Sequence, residues 1–312
     1  MKASTREALA GYCFLLPNLL GFLAFTAFPV VASLILAFYQ WDMIDKRVSP
    51  EFIGFENFKD LLGFHRDEAG ALHANDRYFW QYTGNTIFLM LVIPVSMFCS
   101  LLLAVAMNQK LKGIVLLRTV YFLPTICSGV AILLLWRWIY NADYGLLNAA
   151  IAQFAAIFHL SIQGPNWLGD PAWAKPALML MGLWIEIGGY SMILYLAALQ
   201  GIPRELYEAA DIDGARGWQR FWAITVPMVS PTTFFILVMS VIMGFQGGFT
   251  AAYVMTGGGP AGATTTIEYY IYNNAYQWFK MGYASSIAWV LFVVILVITL
   301  LNWRFGGRRV TY

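Results

Sequence analysis

The sequence predicts an all-α integral membrane protein with six transmembrane helices and both termini on the cytoplasmic side. Three observations carry that prediction. The 312 residues are 60% apolar and only 12% charged, with a mean hydropathy of +0.63, whereas a water-soluble domain carries about 25% charged residues. The apolar residues gather into six runs long enough to cross a bilayer core, which takes about 20 residues of helix. Lysine and arginine concentrate on alternate connections, the pattern that orients membrane spans.

The spans follow in order along a single membrane domain, 1–312. Residues 8–41 carry no charged side chain and hold the first, near 12–38. Residues 78–109 are also charge-free and hold the second, near 82–107. The run 119–136, bracketed by Arg118 and Arg137, centres a third near 116–138. Residues 176–203 are interrupted only by Glu186 and hold the fourth, near 176–200. The run 221–267 has room for a fifth near 229–254 plus an outer loop, and 281–303 holds the sixth, near 282–303. Tyr39 with Trp41, Tyr78 with Trp80, and Trp136 with Trp138 and Tyr140 stand at span ends, as interfacial anchors do. Pro94 and Pro124 fall inside spans and predict bends there.

With a cytoplasmic N-terminus, the inner segments hold Lys2, Arg6, Lys110, Lys112, Arg118, Arg204, Arg216, Arg220, Arg304, Arg308 and Arg309, eleven of the nineteen basic residues. The outer loop 41–80 has eight acids against five bases, and 141–174 has no Lys or Arg. A seventh span at 146–162 would reverse the later segments. That stretch is short and contains Asn148, Gln153 and His159, so it reads as a helix lying on the outer interface. The first charge-free run is far longer than the apolar region of a cleaved signal peptide, so it reads as a span.

Composition excludes several function classes. A net charge of +2 gives no basic footprint for nucleic acid. Cys13, Cys99 and Cys127 sit singly in apolar runs, and no metal-ligand spacing or convergent catalytic cluster is visible. The glycine-rich stretch GGGPAGAT (257–264) lacks the lysine of a phosphate-binding loop and reads as a flexible outer loop.

One connection departs from this apolar background. Residues 208–227 read EAADIDGARGWQRFWAITVP, in a loop, 202–228, placed on the cytoplasmic side between the fourth and fifth spans. Pro203 suits a first helical turn, Arg204 and Glu208 are spaced to pair, and Leu206, Ala209 and Ala210 make a small apolar side. Gly214 can take the positive φ that ends a helix. A second amphipathic stretch, Trp218 to Ile224, leads into span five. From the residues alone, a partner's docking face and a solvated helical hairpin are both open readings.

The run Glu208-Ala209-Ala210, then Gly214, Ile224 and Val226-Pro227 resembles the EAA loop of ABC-importer permeases, with Val226 where that pattern has Leu. GFENFKDLL (54–62), NTIF (85–88), LLRTVYFLP (116–124), TGGGP (256–260) and GYASSIAW (282–289) are similar to segments of the carbohydrate permeases of the maltose and glycerol-phosphate type. The resemblance covers nearly the whole chain and implies a type I importer permease fold in a bacterial inner membrane. It further implies a second permease subunit, two ATPase subunits that carry ATP and Mg, and an extracytoplasmic solute-binding protein. Glu208, Ala209, Ala210, Asp213, Gly214, Ile224 and Pro227 then belong to a loop that docks on the ATPase. No cofactor and no catalytic residue is expected in this chain.

The solute path is less legible. Glu186 is the one acid inside a span, and an ionisable group there is a functional candidate by default. Tyr190 lies four residues on, on the same face of a continuous helix. The resemblance places both, and Phe245, Gln246 and Gly248 of span five, in segments that line a sugar pocket. A stand-alone secondary transporter would show paired halves and several midplane ionisable groups; this chain shows neither. An importer permease for a solute other than a sugar stays open, as does the identity of the sugar.

Overall fold

A computed structural model describes residues 3–41, 49–109 and 112–306. Lys2, Lys110, Arg308 and Arg309 of the orientation pattern, and Asp42 and Asp45 of the outer loop, lie outside the described residues, as does the side chain of Arg6. The fold is predominantly helical. Four helical segments are long and apolar enough to cross a membrane: Glu7–Leu36, Arg77–Met107, Pro171–Gln200 and Met281–Arg304. Two bent pairs raise the number to six if each is one span: Ile114–Ile126 with Gly129–Ile139, at 97°, and Gly217–Met228 with Ser230–Gln246, at 65°. The stretch around 146–162 forms only the short apolar helix Leu146–Ile157.

The chain divides into two compact units. The first comprises residues 1–77 and 270–292. Its long N-terminal helix exposes Phe14 and Phe25 by about 85%, as a surface solvated by lipid or another chain does. The strands Tyr39–Gln40 and Glu51–Phe52 pair antiparallel, and Phe64–Arg66 pairs with Leu72–Ala74 as a hairpin. Asn57 of the GFENF segment is buried and donates to the Ala37 and Tyr39 carbonyls, at 2.9 and 3.1 Å. Buried Asp76 accepts from the hydroxyls of Tyr270 and Tyr283, at 2.7 and 2.6 Å. The Asn57 bonds tie the outer loop to the end of the first helical segment, and the Tyr283 bond ties it to the start of the last long helix.

In the hairpin, Asp67 accepts from the Ala71 N–H at 2.8 Å and pairs with His73 at 3.0 Å. The Ala71 bond, then the His73 bond, hold its carboxyl below the ordinary carboxylate range. A group depressed on folding adds stability above its unfolded pKa, here 3.8, and loses it as pH falls through the folded value. Amide protection of residues 64–74, the exchange rate relative to its intrinsic value at each pH, should therefore hold at pH 5 and fall as pH drops below 3.8. Asp67→Asn should remove that pH step.

The second unit comprises residues 78–269 and 293–312. Its largest core joins Met97 and Leu101 to Met192, Tyr195, Val229 and Ile236. Three helical segments, Val92–Met107, Tyr190–Gln200 and Ser230–Gln246, are thus packed by their apolar faces. A second core gathers Leu133, Tyr140, Trp167, Leu178 and Met255, and the Tyr140 hydroxyl donates to the Ala177 carbonyl at 2.8 Å. The bend near Pro124 falls three residues later than the proline, where the helix stops at Ile126 and restarts at Gly129.

The continuous helix predicted for 176–200 is interrupted. Pro171–Ile187 ends at Gly188, and Tyr190–Gln200 begins only after the extended Gly189. A Cβ at Gly188 would meet the Tyr121 backbone, so the break lets the 114–126 helix approach closely. The predicted face shared by Glu186 and Tyr190 therefore does not exist, because four-residue spacing aligns side chains only within an unbroken helix.

Candidate functional site

The charged loop is folded along its length. Pro203 sits one position before the helix Arg204–Ile212, at its N-cap. At the other end Gly214 has φ +74°. Its N–H donates to the Asp211 carbonyl at 3.1 Å and the Ala215 N–H to the Ala210 carbonyl at 2.9 Å, the paired closure that a left-handed residue after a helix permits. The helix buries none of its residues. Glu208, Ala209 and Ile212 are exposed, Ile212 by 88%, and Ala210 is half-buried. Asp213 is exposed beside the turn.

The second half of the loop braces the first. The ion pair that forms is Asp211 with Arg220; among the described residues none joins Arg204 to Glu208. The Tyr207 and Thr225 hydroxyls are 2.9 Å apart. The Arg216 N–H donates to the Gln219 side chain at 2.7 Å, closing the N-terminus of Gly217–Arg220. The helix then widens to a π turn at Phe221–Thr225 before Val226–Met228. Ile224 and Pro227 are half-buried there, and Ile224 and Val226 pack against the same core that holds Met97 and Leu101. The loop is thus a stiff hairpin: one helix lies free on the outside, and its stem is rooted between membrane-length helices.

A cavity of about 380 Å³ lies within the second unit. Helix Arg77–Met90 supplies Thr86, Val92–Met107 supplies Ser96, and Pro171–Ile187 supplies Glu186. Ser240 and Gly248 come from the fifth segment and Thr266 from the connection beyond it. Among the sequence candidates, Glu186 and Gly248 line this space. Phe245 is 4% exposed and packs elsewhere. Gln246 is an exposed last residue of its helix, and Tyr190 is exposed with its ring edge-on to Phe122 at 5.9 Å. None of these three lines the cavity.

The glycine-rich connection is held, contrary to the flexible loop predicted for it. Thr264, Thr265 and Thr266 are buried. The Thr264 hydroxyl donates to the Gly259 carbonyl at 2.8 Å and that of Thr265 to Gly258 at 3.0 Å. Asn85 reaches across and donates to the carbonyls of Gly262 and Thr265, both at 2.9 Å. The next residue, Thr86, accepts the Ile267 N–H at 3.0 Å. Glu268 accepts the Phe249 N–H at 3.0 Å, and burial pushes its carboxyl up. Gly248 takes φ +102°, and a Cβ there would stand 2.9 Å from Thr266, so only glycine fits. Sequence reasoning passed over Thr86, Ser96, Ser240 and Thr266. The available signal was the NTIF segment itself, an Asn-Thr pair within a charge-free run.

The comparisons with known proteins agree with this geometry. Residues 69–306 match the family model described as binding-protein-dependent transport system inner membrane component. The probable ABC transporter permease protein YesP of Bacillus subtilis is 36% identical over 316 residues, covering 100% of the chain and 94% of that protein. The lactose transport system permease protein LacF of Rhizobium radiobacter is 33% identical, covering 96% of the chain and 94% of that protein. The crystal structure of a bacterial alginate ABC transporter, in complex with an alginate pentasaccharide-bound periplasmic protein, superposes with a TM-score of 0.81 at 25% identity, covering 98% of the chain and 96% of its counterpart. Matched across more than two thirds of its length and built on the same helical plan, the chain belongs to the inner membrane components of binding-protein-dependent transport systems.

Proposed function

We propose that this chain is a permease subunit of an ATP-driven importer and forms half of the membrane path for a sugar or sugar-like solute. The observation that carries this reading is the coexistence of two features in one chain: a rigid exposed helix on a braced hairpin, and a cavity holding Glu186 that is lined in part by the far end of that hairpin's own span, Ser240 to Gly248. LacF is named for lactose and the solved counterpart for alginate, which points the substrate class to carbohydrate. An extracytoplasmic binding protein delivers the solute, a second permease completes the path, and two ATPase subunits supply the work. Their contact is the 204–228 loop on the cytoplasmic side, with Glu208, Ala209, Ala210, Asp213 and Gly214 at its tip and Ile224 and Pro227 at its root. ATP and Mg sit on those partners, and no step of hydrolysis falls to this chain.

Closure of the ATPases displaces the docked helix. Because Asp211–Arg220 and Tyr207–Thr225 brace it to the stem, the displacement passes to the fourth and fifth segments as a rigid-body movement. The test is uptake by sealed vesicles containing the full assembly. Import should require both ATP on the loop side and the loaded binding protein on the other. Import that persists without either would overturn the reading in favour of a stand-alone transporter.

A further inference from the structure

We infer that the cavity is a charge filter: it admits neutral polyhydroxy solutes and rejects anionic sugars such as uronates and sugar phosphates, with Glu186 as the residue that sets this specificity. The inference rests on the proposed importer function and narrows its substrate class, which a lactose-named and an alginate-named relative leave open.

The lining decides the matter. Its side-chain polar groups besides Glu186 are the hydroxyls of Thr86, Ser96, Ser240 and Thr266, and the rest is methionine, aliphatic side chains and glycine. Among the described residues, no lysine, arginine or histidine lines the space. Thr86, Ser96 and Thr266 are buried and already bonded within the protein, Thr86 to Tyr82 and Ile267, Ser96 to Ile93 and Thr266 to Tyr269. That leaves the Ser240 hydroxyl, able to donate and accept, and the Glu186 carboxylate, able to accept, to meet a sugar's own hydroxyls. An anion entering this space would give up its hydration with no cation from this chain's described lining to replace it. It would also meet a carboxylate, since Glu186 projects an exposed side chain into the cavity rather than into the packed core. An acid placed where lipid-depth acids are costly, in a lining to which the described residues of this chain bring no cation, is therefore a device for exclusion as much as for binding: its carboxylate accepts from sugar hydroxyls and repels a second carboxylate.

The test reads the charge of the cavity without needing the natural solute. Ser240→Cys is made in the full assembly, with Cys13, Cys99 and Cys127 replaced by serine. Its rate of labelling is measured with a cationic and an anionic methanethiosulfonate of similar size. The cation-to-anion rate ratio should fall by about tenfold when Glu186→Gln is added, as removal of one nearby charge predicts, and Glu186→Asp should keep it. An unchanged ratio in Glu186→Gln overturns the filter. A second arm measures vesicle uptake of a neutral disaccharide and the matching uronate-containing disaccharide, each supplied with a binding protein loaded with it. The unaltered importer should favour the neutral sugar, and Glu186→Gln should narrow the difference; equal uptake of both sugars by the unaltered importer overturns the filter. An assembly that imports nothing with ATP present defeats the importer reading instead, and the labelling arm still decides the charge of the cavity.

Discussion

Glu208→Lys and Gly214→Pro should each leave the subunit inserted in the membrane and cut ATP-driven uptake by at least about tenfold, the scale of a lost 1.4 kcal/mol in a contact that must carry work. The two changes act differently. Glu208 is exposed, and among the described residues its side chain forms no ion pair. Reversing its charge costs the isolated chain little, so any loss of transport reports a partner's surface. Gly214→Pro acts on the hairpin itself. Proline fixes φ near −65° and has no N–H, whereas this position needs φ +74° and donates to Asp211. The helix end would unwind at a cost of about 3 kcal/mol, and the displaced helix would no longer be aligned with its stem. The measurement pairs uptake with ATP hydrolysis by the purified assembly. Weakened uptake with hydrolysis persisting marks uncoupling. Normal uptake in both variants would remove the docking assignment.

The second large effect is at Asn85. Asn85→Leu keeps most of the volume but strips two hydrogen bonds, leaving the Thr265 and Gly262 carbonyls without the donor that now meets them. An unsatisfied buried acceptor costs about 1–3 kcal/mol, so the loss should be about 2–4 kcal/mol. Thermal unfolding in detergent should shift down by about 5 °C or more. Asn85→Asp is the sharper comparison, because an ionised carboxylate only accepts and would face two carbonyl oxygens. It should be destabilised more than the leucine variant despite its closer shape. If packing alone holds the loop, the leucine variant will unfold at the temperature of the unaltered protein. Release of the loop also frees Thr266, one wall of the cavity, so solute stimulation of ATP hydrolysis should weaken in step with the unfolding temperature.

The membrane-length helices were legible because lipid imposes a one-dimensional rule: a charge inside a span is costly wherever the rest of the chain goes. The start and turn of the 204–214 helix were legible for a related reason, since a Pro, a periodic apolar side and a Gly act through neighbouring backbone groups only. Failures of the reading came where a neighbour distant in sequence intervenes. Tyr190 was placed beside Glu186 by helical spacing, but the backbone of Tyr121 presses on Gly188 and the helix stops between them. Phe245 was placed by resemblance in a segment that lines a sugar pocket; it lies one residue from the wall that Gly244 forms and is itself buried, outside the cavity lining. The glycine-rich stretch looked slack because its restraints come from Asn85, more than 170 residues away.

By itself, then, the sequence determined that the chain lives in lipid, where its apolar helices lie and which connection folds as a charged helix closed by a glycine, because each of these depends on local composition and backbone chemistry. Only the tertiary structure decided which residues share a cavity with Glu186, where the long helices break, and that Asn85 holds the glycine-rich loop against the wall. Those depend on close approach between segments far apart along the chain, and no short-range pattern encodes a distance.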